Sequence, residues 1–217
     1  MDPLHLSIAL GPLAAYLLLL GIVNLRGRPF LTSGGRDTVA LGLGIVGLVI
    51  AGPMELFLPE RAAVEYRGLV WLLLLGLFLM CVILISLVSR PKLVIYNATP
   101  DMLRPILAQL ATELDSDARW AGDTVALPNL TMQFTIETFP GTRNVQLASA
   151  GPGQNYISWR RFELALAGEL RDVTSTVNPY GGVLIAIALV MFTVVGLRVG
   201  YNGAELVQEL NHMLRLR

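Results

Sequence analysis

Apolar residues gather in four long runs, and between the third and fourth runs the pattern breaks into short amphipathic stretches. The runs are Leu4–Leu25, Val39–Leu58, Leu69–Val88 and Tyr180–Leu197. A helix that crosses the ~30 Å hydrocarbon core of a bilayer needs about 20 apolar residues at ~1.5 Å rise each. Each run therefore predicts a transmembrane helix. Tyr66 and Trp71 stand at one end of the third run, and Tyr180 and Tyr201 bracket the fourth, where interfacial aromatic anchors are expected. No basic residue precedes Arg26, so the first run is expected to be a retained helix and not a cleaved signal.

Residues 92–172 read as an inserted α+β domain. Lys92–Asn97 is a short apolar strand. Thr99, Pro100 and Asp101 form a helix start, with Thr99 as the expected N-cap. Leu103, Leu107, Leu110 and Leu114 then lie on one helical face. Thr124–Leu127, Leu130–Glu137 and Arg143–Ser149 follow as strands. In the second of these Leu130, Met132, Phe134 and Ile136 alternate with polar neighbours, the mark of a half-buried strand. A second helix is expected over Ser158–Asp172, with Trp159, Phe162, Leu166 and Leu170 on one stripe. The expected order is β-α-β-β-β-α, an antiparallel sheet with both helices on one face.

After the fourth run, Leu206, Val207, Leu210, Met213 and Leu214 recur at helical spacing. They predict a separate C-terminal amphipathic helix over 203–217. The expected layout is a three-helix membrane region at 1–91, the soluble domain at 92–172, the fourth span at 173–202 and the amphipathic tail.

Composition sharpens this division. The chain has 217 residues, 54% hydrophobic and 15% charged, against about 25% charged in an ordinary soluble domain. Half of its charges fall in 92–172. Net charge is zero, which argues against a nucleic-acid partner. The single cysteine, Cys81, excludes a disulfide scaffold. Basic residues near the spans are Arg26, Arg28 and Arg36 in the first loop and Arg90 and Lys92 after the third run. The positive-inside rule then predicts a cytoplasmic 92–172 domain with both termini outside. The bias of 15 Arg to one Lys suits a GC-rich genome, and the expected site is a bacterial inner (plasma) membrane. Arg198, Arg215 and Arg217 run against this orientation. The sequons at Asn97 and Asn129 would matter only if the orientation were reversed in a secretory pathway.

Candidate chemistry is sparse. Glu55 is an acid near the interior of a span, next to the kink-permitting Gly52-Pro53, and is a candidate intramembrane functional residue. Arg198 at the end of the fourth span is a second. Trp159, Arg160 and Arg161 form a candidate surface for an anionic ligand or lipid. Small-residue pairs such as Ala40/Gly44, Gly47/Ala51, Gly11/Ala15, Gly182/Ala186 and Gly196/Gly200 favour close helix packing, within the chain or between copies. Asp115, Asp117 and Asp123 resemble a calcium loop, but the sixth position is Trp120 and the twelfth is Ala126, so no metal is expected. His5 and His212 lie near opposite ends of the chain with no ligand spacing. No catalytic constellation, cofactor motif or phosphate-binding loop is present, and no motif is specific to a known family.

The expected function is that of a non-enzymatic multi-pass membrane protein. It would be an accessory or assembly subunit, or a scaffold, whose soluble domain binds a partner protein or another copy. The alternative is a small oligomeric transporter or channel using Glu55. Expected partners are the lipid bilayer and a protein or homo-oligomer.

Overall fold

The computed structural model describes residues 3–54, 56, 65–66, 68–139 and 143–213. Contacts divide the chain into two compact units. One holds Met1–Gly21, Thr38–Ile85 and Val183–Arg217; the other holds Ile22–Asp37 and Ser86–Gly182.

The first unit is helical. Four helices are long and apolar enough to cross a membrane, over Leu4–Leu25, Gly34–Met54, Gly68–Val88 and Tyr180–Tyr201. They belong to α1 (Pro3–Leu25), α2 (Gly34–Val49), α3 (Gly68–Val88) and the long C-terminal helix, Tyr180–Met213. The expected small-residue faces are used inside the chain at α2. A Cβ on Gly44 would lie 2.7 Å from the Tyr16 ring, and one on Gly42 would lie 2.7 Å from Val82. A Cβ on Gly47 would overlap the backbone carbonyl of Ile8. Glycine thus lets α1 approach α2 at backbone distance and seats the Val82 side chain of α3 against it. Gly11, Gly182, Gly196 and Gly200 face open space instead.

After Val49 the helix widens into a π turn, Ile50–Met54, which contains Pro53. Proline has no N–H to donate, so the regular ladder cannot continue unchanged through it. Glu55, next in sequence, lies outside the described residues, as does most of the following loop.

The C-terminal region departs from expectation. Tyr180–Met213 is one continuous helix of 34 residues, not a span followed by a separate amphipathic helix. Its glycines at 196, 200 and 203 each weaken a helix by about 1 kcal/mol, but no proline intervenes to end it. At ~1.5 Å per residue it is about 51 Å long, well beyond the ~30 Å of a hydrocarbon core. Near its far end the Glu209 carboxylate accepts a 3.3 Å bond from the Leu4 amide.

The second unit is built on a six-stranded, wholly antiparallel sheet in the order β1-β2-β6-β5-β4-β3. The strands are β1 (Phe30–Ser33), β2 (Lys92–Tyr96), β3 (Arg119–Ala121), β4 (Thr124–Leu127), β5 (Met132–Phe139) and β6 (Asn144–Ser149). Two helices accompany them, α4 (Pro100–Leu114) and α5 (Tyr156–Glu169); the long C-terminal helix is α6.

Two strands go beyond the expected β-α-β-β-β-α order. β3 pairs only with β4, and its three residues are all exposed. β1 comes from the loop between the first two long helices and pairs with β2, Leu31 opposite Ile95 and Thr32 opposite Val94. Both are too short to show a period-two pattern, and β1 is made by a partner some 60 residues away.

One face of the sheet carries Leu93, Ile95, Val125, Leu127, Phe134, Ile136, Val145 and Leu147. Leu103, Leu107 and Leu110 of α4 and Trp159, Phe162 and Leu166 of α5 join the same buried cluster, so both helices cover one face. Phe134 is its centre, 5.2 Å from the Phe162 ring and edge-on to Trp159 at 6.2 Å.

Local chemistry explains the boundaries. Thr99 takes the N-cap position of α4 but its side chain makes no capping bond; Pro100 at the first position carries no N–H to satisfy. α5 starts two residues earlier than expected because Asn155 caps it, accepting from the amides of Ile157 at 2.9 Å and Ser158 at 3.4 Å. Leu130 falls in a short 3-10 turn, Pro128–Leu130, and β5 begins at Met132.

The close α1–α2 crossing predicts a specific sensitivity. Gly47→Ala should lower stability by about 1–3 kcal/mol, because the new methyl must displace the Ile8 backbone. Gly76→Ala, with open space around it, should be neutral or mildly stabilising. Thermal unfolding in detergent reads both, and equal melting temperatures for the two variants would contradict the crossing.

Candidate functional site

The sheet unit contains a cavity of about 350 Å³. Three elements meet there: the first turn of α2, the last turn of α3 with the segment into β2, and one face of α5. Among the described residues its cations are Arg90, Lys92 and Arg160, against a single lining carboxylate, Glu163. Ser33, Ser86 and Ser89 add hydroxyl groups, and Leu87 and Tyr156 add apolar wall.

The backbone sets this geometry. β1 runs directly into α2 with no intervening loop, because Ser33 ends the strand and Gly34 begins the helix. The Ser33 hydroxyl faces the Arg36 amide at 3.5 Å, a long N-terminal cap. The aliphatic stem of Lys92 crosses Gly34 so closely that a side chain there would collide with it. A Cβ on Gly35 would meet the Ser86 hydroxyl at 2.7 Å. Two consecutive glycines therefore admit the Lys92 stem and the end of α3 against the start of α2.

Glu163 is buried, and both of its oxygens are engaged. Arg36 donates to one, and Arg160 to the other at 2.8 Å. Both arginines are more than half exposed, so water screens these pairs and their main effect is to orient the side chains. Arg90 and Lys92 have no anionic partner among the described residues.

The sequence-predicted candidates separate. Trp159 is 5% exposed, belongs to the core and donates from Nε1 to Gln154 at 3.1 Å. It reaches the cavity only as part of its wall. Arg160 lines the cavity. Arg161 lies on an exposed strip of α5 with Tyr156, Ile157, Arg160 and Leu164, where Ile157 is 81% and Leu164 59% exposed. Arg198 is exposed on α6 and belongs to the other unit. Glu55 lies outside the described residues.

The acidic cluster is used internally. Asp115 accepts from the Asp117 amide at 2.9 Å and from the Asn129 amide at 2.8 Å, and the Asn129 side chain donates to Asp115 and Asp117. Asp123 pairs with Arg104. Among the described residues no group of His, Cys, Asp and Glu is placed to hold a metal. Neither sequon offers an open amide: Asn97 is fully buried and the Asn129 nitrogen is held by the two aspartates.

The residues that reasoning from the sequence missed as a group are Arg90, Lys92, Glu163 and Arg36. The signal was present in part. Arg36, Arg90 and Lys92 are the same charges that set the expected orientation, but only β1–β2 pairing brings their segments together. The chain matches no protein-family model, no curated protein and no solved structure.

Burial of the Asp115 carboxyl raises its pKa, but amide donors from Asp117, Asn129 and Leu130 and the Asn129 side chain outweigh it. The net result is a carboxyl held below the usual aspartate value. Its contribution to stability is present above the ordinary aspartate pKa of about 3.9 and is lost as pH falls through the lower folded value. Asp115→Asn should therefore lower the melting temperature most near neutral pH. The gap to the unsubstituted protein should narrow as pH drops below about 4. A gap that stays constant or widens in acid would contradict this role.

Proposed function

We propose that the protein is a non-enzymatic, four-span integral membrane protein. It acts as an accessory or assembly subunit whose α+β module binds another protein chain, a partner or a second copy. The four long apolar helices support the membrane part of this reading. The ends of all four belong to the sheet unit: Ile22–Leu25, Gly34–Asp37, Ser86–Val88 and Tyr180–Gly182. With helices that alternate in direction across a bilayer, those ends share one side. Arg26, Arg28, Arg36, Arg90 and Lys92 make that side cytoplasmic by the positive-inside rule, in the inner membrane of a bacterial cell.

The observation that carries the binding role is the outer strip of α5. Tyr156, Ile157 and Leu164 are large, exposed and apolar, and Arg160 and Arg161 flank them. The opposite face of the same helix already supplies the core, and Ile157 and Leu164 stand outside it. Exposed aromatic and aliphatic groups with arginine have the composition of an interface centre. The complementary surface is apolar with carboxylates at its rim.

The test is affinity purification of the full chain in mild detergent, with mass spectrometry of what accompanies it. Ile157→Asp combined with Leu164→Asp should abolish recovery of the bound chain at unchanged melting temperature. Each buried anchor is worth about 2 kcal/mol or more, so the pair should weaken binding by at least about a hundredfold. An unsubstituted protein that runs as a single copy with no bound chain, or a variant that keeps its partner, would contradict the proposal.

A further inference from the structure

The cavity between the first turn of α2, the end of α3 and α5 points to a second binding role, at a site that shares Tyr156 and Arg160 with the α5 strip but not Ile157, Arg161 or Leu164. The geometry points to a site for a phosphate group, and the protein's own membrane is its favoured source, as the headgroup of an anionic lipid.

Three observations converge. The first is charge without a partner. Arg90 and Lys92 line the cavity, and neither is paired with an acid among the described residues. The lining carboxylate of Glu163 is already shared between Arg36 and Arg160, so it does not cancel them. Arginine offers a planar fork of donors and lysine a compact point charge, and both suit phosphate oxygens.

The second is shape. About 350 Å³ is at the lower end of the range for small-ligand sites and holds a headgroup phosphate with its glycerol linkage. Gly34 and Gly35 keep the floor low, since a side chain at either would run into Lys92 or Ser86. The start of α2 also brings its positive dipole end to this wall, in the sense that favours an anion.

The third is the wall itself. Ser86 and Leu87 belong to the last turn of α3, a helix apolar enough to cross a bilayer. Leu87 is 72% exposed, and the exposed Tyr156 also lines the cavity. A ligand with its phosphate among Arg90, Lys92 and Ser89 would meet an apolar surface immediately beside it. Phosphate on one side and hydrocarbon on the other is the chemistry of a phospholipid. Only this choice of source rests on the four-span reading; the phosphate site itself does not.

The experiment uses the full-length protein in nonionic detergent. Native mass spectrometry measures retention of added phosphatidylglycerol against phosphatidylcholine, and thermal shift measures binding of inorganic phosphate. The unsubstituted protein should retain phosphatidylglycerol preferentially. Arg90→Gln with Lys92→Gln should weaken that retention by at least about tenfold, the effect of losing charge-assisted bonds. Arg104→Gln, which removes a cation paired elsewhere with Asp123, should leave it unchanged.

Glu163→Gln should act in the opposite direction, since it removes the only anion among the described lining residues, and tighter binding cannot come from misfolding. If inorganic phosphate stabilises the unsubstituted protein but not the double variant, while the two lipids are retained equally, the site is upheld and its source is a free phosphate. The proposal is overturned if the double variant binds phosphatidylglycerol and phosphate as well as the unsubstituted protein. It is overturned equally if neither ligand binds, or if Glu163→Gln weakens binding. None of these variants touches Ile157 or Leu164, so failure here and failure of the α5 interface are separate results.

Discussion

The pairing of Phe30–Ser33 with Leu93–Tyr96 is the interaction on which the sheet unit depends. It is four residues long, and it joins the connection between the first two long helices to the first strand after the third. Without it, that connection would be a short polar loop and β2 would be an edge strand with an unpaired row of backbone groups. With it, Leu31 adds to the core face, and Thr32 and Val94 are both buried on the opposite face. Because β1 passes straight into α2, the same pairing fixes where α2 begins. The Tyr96 hydroxyl donates to Asp37 in that first turn at 2.6 Å, which ties the strand to the helix a second time.

A second tie works on the other ends. The Ser175 amide donates to the Gly27 carbonyl at 2.9 Å, and the Asn178 amide to the Asn24 carbonyl at 3.2 Å. The Asn178 side chain donates to that of Asn24 at 3.0 Å, and both residues are buried. Asn178 also caps α6, accepting from the Tyr180 amide at 3.2 Å. Gly27, at φ +63, supplies the positive-φ turn this connection needs. The end of α1 and the start of α6 are thus clasped by paired amides, and the start of α2 and the end of α3 by the β1–β2 pairing. The basic residues collected at these ends acquire a shared location, and the cationic cavity is its consequence.

Much of this was legible in the residues. Each of the four apolar runs overlaps one of the four long helices, since length and apolarity alone decide that feature, but the second helix begins at Gly34, ahead of the expected Val39. Met132, Phe134 and Ile136 alternate as read, and Leu103, Leu107 and Leu110 face the core as read, because periodicity reports burial directly. What escaped is non-local. β1 has the sequence Phe-Leu-Thr-Ser, with no pattern of its own, and becomes a strand only beside β2. The break expected before residue 203 is absent because isolated glycines weaken a helix without ending it. The candidate site divided in the same way. Arg160 and Arg161 were visible as cations beside an aromatic, but Trp159 turned inward because its stripe on α5 is the apolar one. Arg36, the Arg90–Lys92 stretch and Glu163 lie on three separate segments, and no local spacing could associate all three.

Paired cysteine substitution tests the β1–β2 pairing most directly. Cys81 is the chain's single cysteine and is replaced by Ala to give a clean background. Leu31→Cys with Ile95→Cys, and Thr32→Cys with Val94→Cys, place thiols at directly opposed positions. Mild oxidation of the full chain in membranes should form a disulfide in at least one of these pairs, depending on which lies at the closer-spaced ladder position. The mismatched pair, Leu31→Cys with Val94→Cys, points to opposite faces and should not cross-link. No cross-link in either matched pair, or equal cross-linking in the mismatched one, would contradict the pairing and with it the cavity assembled around it.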